Sequence, residues 1–253
     1  MKLFSAYMPP MTISKAIQMS WASLVNPAII ARLALPVLLA AVFCISILVW
    51  GWPVITTEFV PYLQTFGLVQ TVFSQLDIWL GFSLLSLFSL LIFTILIFMA
   101  TYFVLILLTS LILVPMLTPV IKKMYFPSLS ENSELTLYQS LKNSFFSILK
   151  YFGFLFLSLP LLFFVPGGQI LVPFFLNAYL AKQVFPYDVL QPYATLVEFE
   201  RFQLKEKNPL WTLSLLTGGY FYVPILNFFA APLTALAFVI FCMGKISDYR
   251  RSI

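Results

Sequence analysis

Residues 151–181 form an almost purely apolar block of 31 residues, broken in its middle by Pro166-Gly167-Gly168 and flanked by Lys150 and Lys182. As one helix it would be about 46 Å long, against a hydrocarbon core of about 30 Å. That is too long for one crossing and too short for two. Proline lacks the N–H and clashes with the preceding turn, and glycine tolerates positive φ, so a helix ends at this point. The block reads as a re-entrant hairpin, with one short helix entering a bilayer and a second leaving on the same side. Residues 210–243 repeat the design. Their 34 residues are broken at Gly218-Gly219 and again at Pro224-Ile225-Leu226-Asn227.

Only 9% of the 253 residues are charged and 61% are hydrophobic, whereas soluble domains carry about 25% charged residues. The expected fold is therefore an all-α integral membrane protein. It has two long transmembrane helices, two re-entrant hairpins and an N-terminal amphipathic interfacial helix, all in a single membrane domain (1–253). No cleavable signal is expected, because the first 20 residues carry Lys2, Pro9, Pro10 and Lys15 and no continuous apolar core.

The interfacial helix is expected over 11–25, with Ile13, Ile17, Trp21 and Leu24 on one stripe. Asn26 suits a helix cap and Pro27 a first helical turn. A first span follows over 27–50, with Trp50 and Trp52 at the far interface. An external segment, with an amphipathic helix between Phe59 and Leu76, leads to a second long apolar run at 78–121, interrupted at Pro115 and Pro119. Residues 122–150 are a connection holding a surface helix, with Leu137, Leu141, Phe145 and Leu149 at four-residue spacing. The polar loop 182–208 separates the two hairpins.

Charge sets the sidedness. Residues 33–121 contain no Lys or Arg, and all 14 basic residues lie outside that window. If both late blocks are hairpins, all 14 lie on one side. If each block crosses once, Lys182, Arg201, Lys205 and Lys207 move across and the split is 10 to 4. Positive residues are retained on the cytoplasmic side, so the hairpins and cytoplasmic termini are favoured. Four plain spans stay open as the alternative, because Pro and Gly are tolerated in spanning helices that pack internally. A net charge of +5 reflects this retention rather than nucleic-acid binding.

The chain has no His, and its two cysteines lie in apolar segments. That excludes His-based triads, His metal sites and imidazole relays, and it leaves no metal spacing, Walker loop or serine elbow. No enzyme activity and no cofactor are expected. What remains is electrostatic. Returning hairpin arms begin near Gly168-Gln169 and Leu226-Asn227, and a helix N-terminus offers free N–H groups and a partial positive charge. Such ends hold anions at membrane depth in proteins with discontinuous helices. The tip residues Gly167, Gly168, Gln169, Pro224 and Asn227, with Asn177 and Thr217 nearby, could line an anion path. They could equally do no more than make and cap two turns. Arg32 could hold an anion or reach the headgroup level as a snorkelling side chain. A turn at membrane depth must be buried in protein or line a water-filled cavity, which points to an oligomer, a pore or both.

Three sequence elements resemble the CysZ sulfate-permease family, grouped with the etoposide-induced proteins of eukaryotes. They are Phe164-Val165-Pro166-Gly167-Gly168, Phe174-Phe175-Leu176-Asn177-Ala178-Tyr179 and Val223-Pro224-Ile225-Leu226-Asn227-Phe228-Phe229-Ala230-Ala231-Pro232. Upstream, Ser20-Trp21 through Asn26-Pro27 to Leu35-Pro36 is similar to that family's opening segment. The resemblance implies a bacterial inner-membrane protein that admits sulfate, a homo-oligomer in the lipid bilayer, and an anion site after Pro27. The family's Gly-Leu-Arg at that site is here Ala28, Ile29, Ile30 and, two residues further on, Arg32. Sulfate is the leading substrate. A non-transporting membrane scaffold or biogenesis protein of the same fold is the alternative.

Overall fold

The computed structural model describes residues 10–54, 57–58, 61–62, 65, 78, 87, 93–94, 97, 100–101, 104–132 and 134–252. The helix expected between Phe59 and Leu76, and the first part of the second long run, lie largely outside the described residues. Every regular element among the described residues is helical. The chain divides into two compact units, Val37–Leu107 and Met1–Pro36 with Leu108–Ile253. The protein is an all-α membrane protein. Three helices are long and apolar enough to cross a bilayer, namely Pro27–Val54, Val104–Tyr125 and Ala230–Arg251.

Helix α1 (Ile13–Ser23) starts at Thr12, whose hydroxyl accepts from the Lys15 N–H. Helix α2 (Pro27–Val54) starts where Asn26-Pro27 directs. It runs four residues past the expected end at Trp50, and Leu38, Val42, Ile45, Val49 and Trp50 are exposed along it. Helix α3 (Val104–Tyr125) continues through Pro115 and Pro119 instead of breaking there. Immediately before Pro115 it widens into a π turn, Thr109–Leu113. A proline ring clashes with the carbonyl four residues earlier, here that of Leu111, and the wider turn accommodates it.

Helix α4 (Leu137–Leu157) begins with a capping box between Thr136 and Gln139. The surface helix expected up to Lys150 and the arm entering the first apolar block are thus one continuous helix. A short α5 (Leu159–Phe164) completes that arm, and α6 (Gly168–Leu190) returns from the turn and packs against α4. A second capping box, Thr195 with Glu198, opens α7 (Leu196–Lys205). Helix α8 (Lys207–Gly218) then passes through a 3-10 turn (Gly219–Tyr222) and the single-turn α9 (Pro224–Asn227). Finally α10 (Ala230–Arg251) runs back along α8.

Helix α10 is the core of its unit. From Ala230 to Ile246 every side chain but Lys245 is buried, and α1, α3, α6 and α8 pack around it. A helix that is apolar on all sides requires such enclosure. On α1 and α4 small side chains face inward and large apolar ones face outward. Helix α1 buries Ala16, Ser20 and Ser23, while Trp21 of its apolar stripe is exposed. Helix α4 buries Ser140, Ser144 and Ser147, while Leu141, Phe145 and Leu149 point outward. Small side chains let helices approach closely when the outside is not water. At one such approach a Cβ on Gly244 of α10 would lie 2.4 Å from the Met11 side chain.

Candidate functional site

The two hairpin turns lie side by side. In the first, Gly167 has φ of 84°, a conformation that glycine adopts at little cost. Gly168 is buried, and a Cβ there would lie 2.0 Å from the Leu161 carbonyl oxygen. The return helix therefore starts at Gly168, where the sequence places it. In the second, the return helix starts at Ala230 and not near Leu226-Asn227. The Phe229 N–H closes onto the Leu226 carbonyl, so Pro224 to Asn227 form a separate turn. The Tyr222 hydroxyl donates to the Ile170 carbonyl at 2.6 Å, and the Phe174 ring packs on Tyr222. Gln169, Pro224 and Asn227 are exposed around this junction.

The other polar residues expected to help are already engaged. The Tyr151 hydroxyl donates to the Asn177 side-chain oxygen, and the buried Thr217 hydroxyl donates back to Leu213. An open groove of about 470 Å³ between the arms of the first hairpin is lined by Phe154, Leu157, Leu161, Leu171, Phe175 and their neighbours. Its one hydroxyl, on Ser158, bonds to Leu155, so it offers an anion nothing.

The start of α2 is closed by its own cap. Asn26 takes the Ala28 N–H on its side-chain oxygen at 2.9 Å and the Ile29 and Ile30 N–H groups on its carbonyl. The Ile29 side chain is fully buried, while Ala28 and Ile30 are exposed. Arg32 donates from Nη1 to the Ala28 carbonyl at 3.0 Å. Ala28, Ile29, Ile30 and Arg32 thus surround one helix start, next to the end of α3, where Ser23 meets the Tyr125 hydroxyl at 3.1 Å.

The charged residues gather around the end of α10. Arg250 donates through Nε and Nη2 to both carboxylate oxygens of Glu198, at 2.8 and 2.9 Å, and also reaches Ser130 and the Tyr193 carbonyl. The Arg250 guanidinium holds the Glu198 carboxyl below its usual range. The buried Glu206 pairs with Lys245 and accepts from Tyr249, and Asp248 accepts from the Met11 N–H. These contacts tie the end of α10 to the 182–208 region and the segment before α1 to α10.

One group was not singled out in the sequence. Asp188, on α6 beyond the apolar block, is buried and accepts from the hydroxyls of Ser110 and Ser140. Burial pushes its carboxyl up to about 7, against the pull of those two donors.

A family model described as Sulfate transporter CysZ/Etoposide-induced protein 2.4 matches residues 16–232. Comparison with curated proteins and with solved structures returns no match.

Proposed function

Because the chain belongs to the sulfate transporter CysZ/etoposide-induced protein 2.4 family, we propose that it is a permease or channel for a small inorganic anion, with sulfate the leading substrate. The observation that carries this reading is the junction of the two hairpin turns at Tyr222 and Ile170. It brings both breaks in the apolar blocks to one place, and turns at membrane depth must be shielded by protein or border water. In this reading the protein is not an enzyme. It sits in the bacterial cytoplasmic membrane as a homo-oligomer with both termini inside, and both hairpins enter from the cytoplasmic face. The apolar part of the first return arm, 168–181, is about 21 Å long, shorter than a hydrocarbon core of about 30 Å.

Moving each negative charge inward against an inside-negative potential costs about 2.3 kcal/mol per 100 mV, so a pore alone admits sulfate only down a steep concentration gradient. Arg32 is the basic side chain placed to receive the anion. The Asn26 cap favours the second reading, a non-transporting scaffold, because an anion must displace it to reach the Ala28 and Ile29 N–H groups.

Labelled sulfate uptake by proteoliposomes separates the two. The permease reading expects uptake above that of empty liposomes, competed by unlabelled sulfate. It expects roughly a tenfold or greater loss in Arg32→Ala, the scale of one charge-assisted contact. Uptake that never exceeds the empty control sinks it. Topology has its own check. A cysteine placed at Lys205 should react with an impermeant thiol reagent only in inside-out vesicles, and labelling of intact cells would replace the hairpins by plain spans.

A further inference from the structure

Asp188 lies in a seam between three elements. The Ser110 hydroxyl reaches one carboxylate oxygen from the π turn of α3, and the Ser140 hydroxyl reaches the other from α4. Among the described residues no basic side chain lies within ion-pair distance of Asp188. The titratable and charged groups on the surrounding helices are engaged elsewhere or exposed. On α6 the neighbour is Tyr187, whose hydroxyl donates to Gln139. On α4, Lys142 is exposed. On α3, Lys122 pairs with Glu131, and Lys123 is exposed. On α10, Lys245 pairs with Glu206 and Asp248 accepts from Met11, while Cys242 is buried. On α8, Lys207 is exposed, and α5 has no titratable group.

A buried carboxylate without a cation is expensive, and it relieves the cost by taking a proton. A protonated carboxyl then needs an acceptor, and buried hydroxyls supply one by rotating. Two further buried hydroxyls lie close in sequence to those donors. Thr109 is adjacent to Ser110, and Ser144 is one turn from Ser140 on the same face of α4. Both are buried and neither has a hydrogen-bond partner.

We propose that Asp188 is a proton-binding site, at which the carboxylate takes one proton from water and returns it, resetting the hydroxyl contacts that join the π turn of α3 to α4 and α6. With both carboxylate oxygens already bonded directly to hydroxyls, a proton is accommodated by rotation of those hydroxyls. This site stands independently of which anion, if any, the protein carries.

Folding raises the carboxyl from its ordinary value, near 4, to about 7. The folded state therefore holds the extra proton between those values. The stability that the proton supplies is fully present below the unfolded value and is lost as pH rises through the folded one.

The test uses the full chain in nanodiscs in sulfate-free buffer, compared with Asp188→Asn, which keeps the shape but is permanently neutral. The thermal midpoint of the wild type should fall between about pH 5 and about pH 8 relative to the variant, and the variant should be the more stable of the two at the upper end. Parallel profiles overturn the proposal. Infrared spectra of the wild type alone give a second measure, should the variant fail to fold. A protonated-carboxyl stretch should titrate near neutral pH, and its midpoint should rise in Ser140→Ala, which loses a donor to the anion. Absence of such a band, or a midpoint that moves with sodium at constant ionic strength, overturns the proposal; the latter result assigns the site to a metal cation.

Discussion

Gly168→Ala should unfold the first hairpin at its tip, with a loss on the order of 3 kcal/mol or more, at the upper end of overpacking penalties. A Cβ there would meet the Leu161 carbonyl oxygen at 2.0 Å. That atom is backbone and cannot swing aside, so relief requires α5 and α6 to part. Two neighbouring glycines calibrate the result. Gly167 has open space around it but a φ of 84°, so Gly167→Ala should cost about 1–2 kcal/mol through conformation alone. Gly153 sits inside α4 with nothing within 4 Å, and Gly153→Ala should stabilise by about 0.5–1 kcal/mol. Thermal unfolding in nanodiscs ranks the three. If Gly168→Ala matches the wild type, the close approach between α5 and α6 is not part of the folded protein.

Arg250→Met should release the end of α10 from the 182–208 region. Arg250 has two hydrogen-bonding partners there, Glu198 and the Tyr193 carbonyl, and two more in the 122–150 connection, the carbonyl and hydroxyl of Ser130. Removing the guanidinium also leaves the Glu198 carboxylate without its cation. A loss of about 2–3 kcal/mol is expected from charge-assisted bonds, at the lower end because the pair is partly solvated. Glu198 also closes the capping box of α7, so Glu198→Ala should cost roughly 1 kcal/mol more than the pair alone, and a double-mutant cycle isolates the shared part.

The pH dependence has the opposite sign to that of Asp188. Arg250 depresses the Glu198 carboxyl. Its stabilisation is therefore present above the ordinary carboxylate value and is lost as pH falls through the depressed one. Arg250→Met should flatten this acid limb of the stability curve. An unchanged acid limb in the variant would show that the pair does not support the fold.

What the sequence discloses depends on how local the cause is. Pro166-Gly167-Gly168 carries its reason within three residues, and the turn and the start of α6 fall where those residues require. Asn26-Pro27 likewise sets the start of α2. Amphipathic stripes tell less, because apolar periodicity marks a face without saying what covers it. In α1 and α4 the small polar face turns inward, and Trp21, Leu141, Phe145 and Leu149 turn outward. The interruption expected at Pro115 does not occur, because the π turn that absorbs it has no sequence signal. Asp188 is the clearest case. In the sequence it is one acid near a mixed polar loop, and its environment comes from Ser110 and Ser140, which lie 78 and 48 residues away.

Helix α10 is both the centre of its unit and later in the chain than every other described helix. Until its 22 residues have left the ribosome, α1, α3, α6 and α8 have no common surface to close upon. The N-terminal segment must wait longest, since Met11 bonds to Asp248 across almost the whole chain. Assembly is therefore governed by sequence-distant contacts, which form slowly and leave unfinished surfaces open in the meantime. A ribosome-bound chain stalled before Ala230 has its helices but not the object they surround. Helix α10 is the keystone of its unit, the piece that holds the surrounding helices only once it is in place.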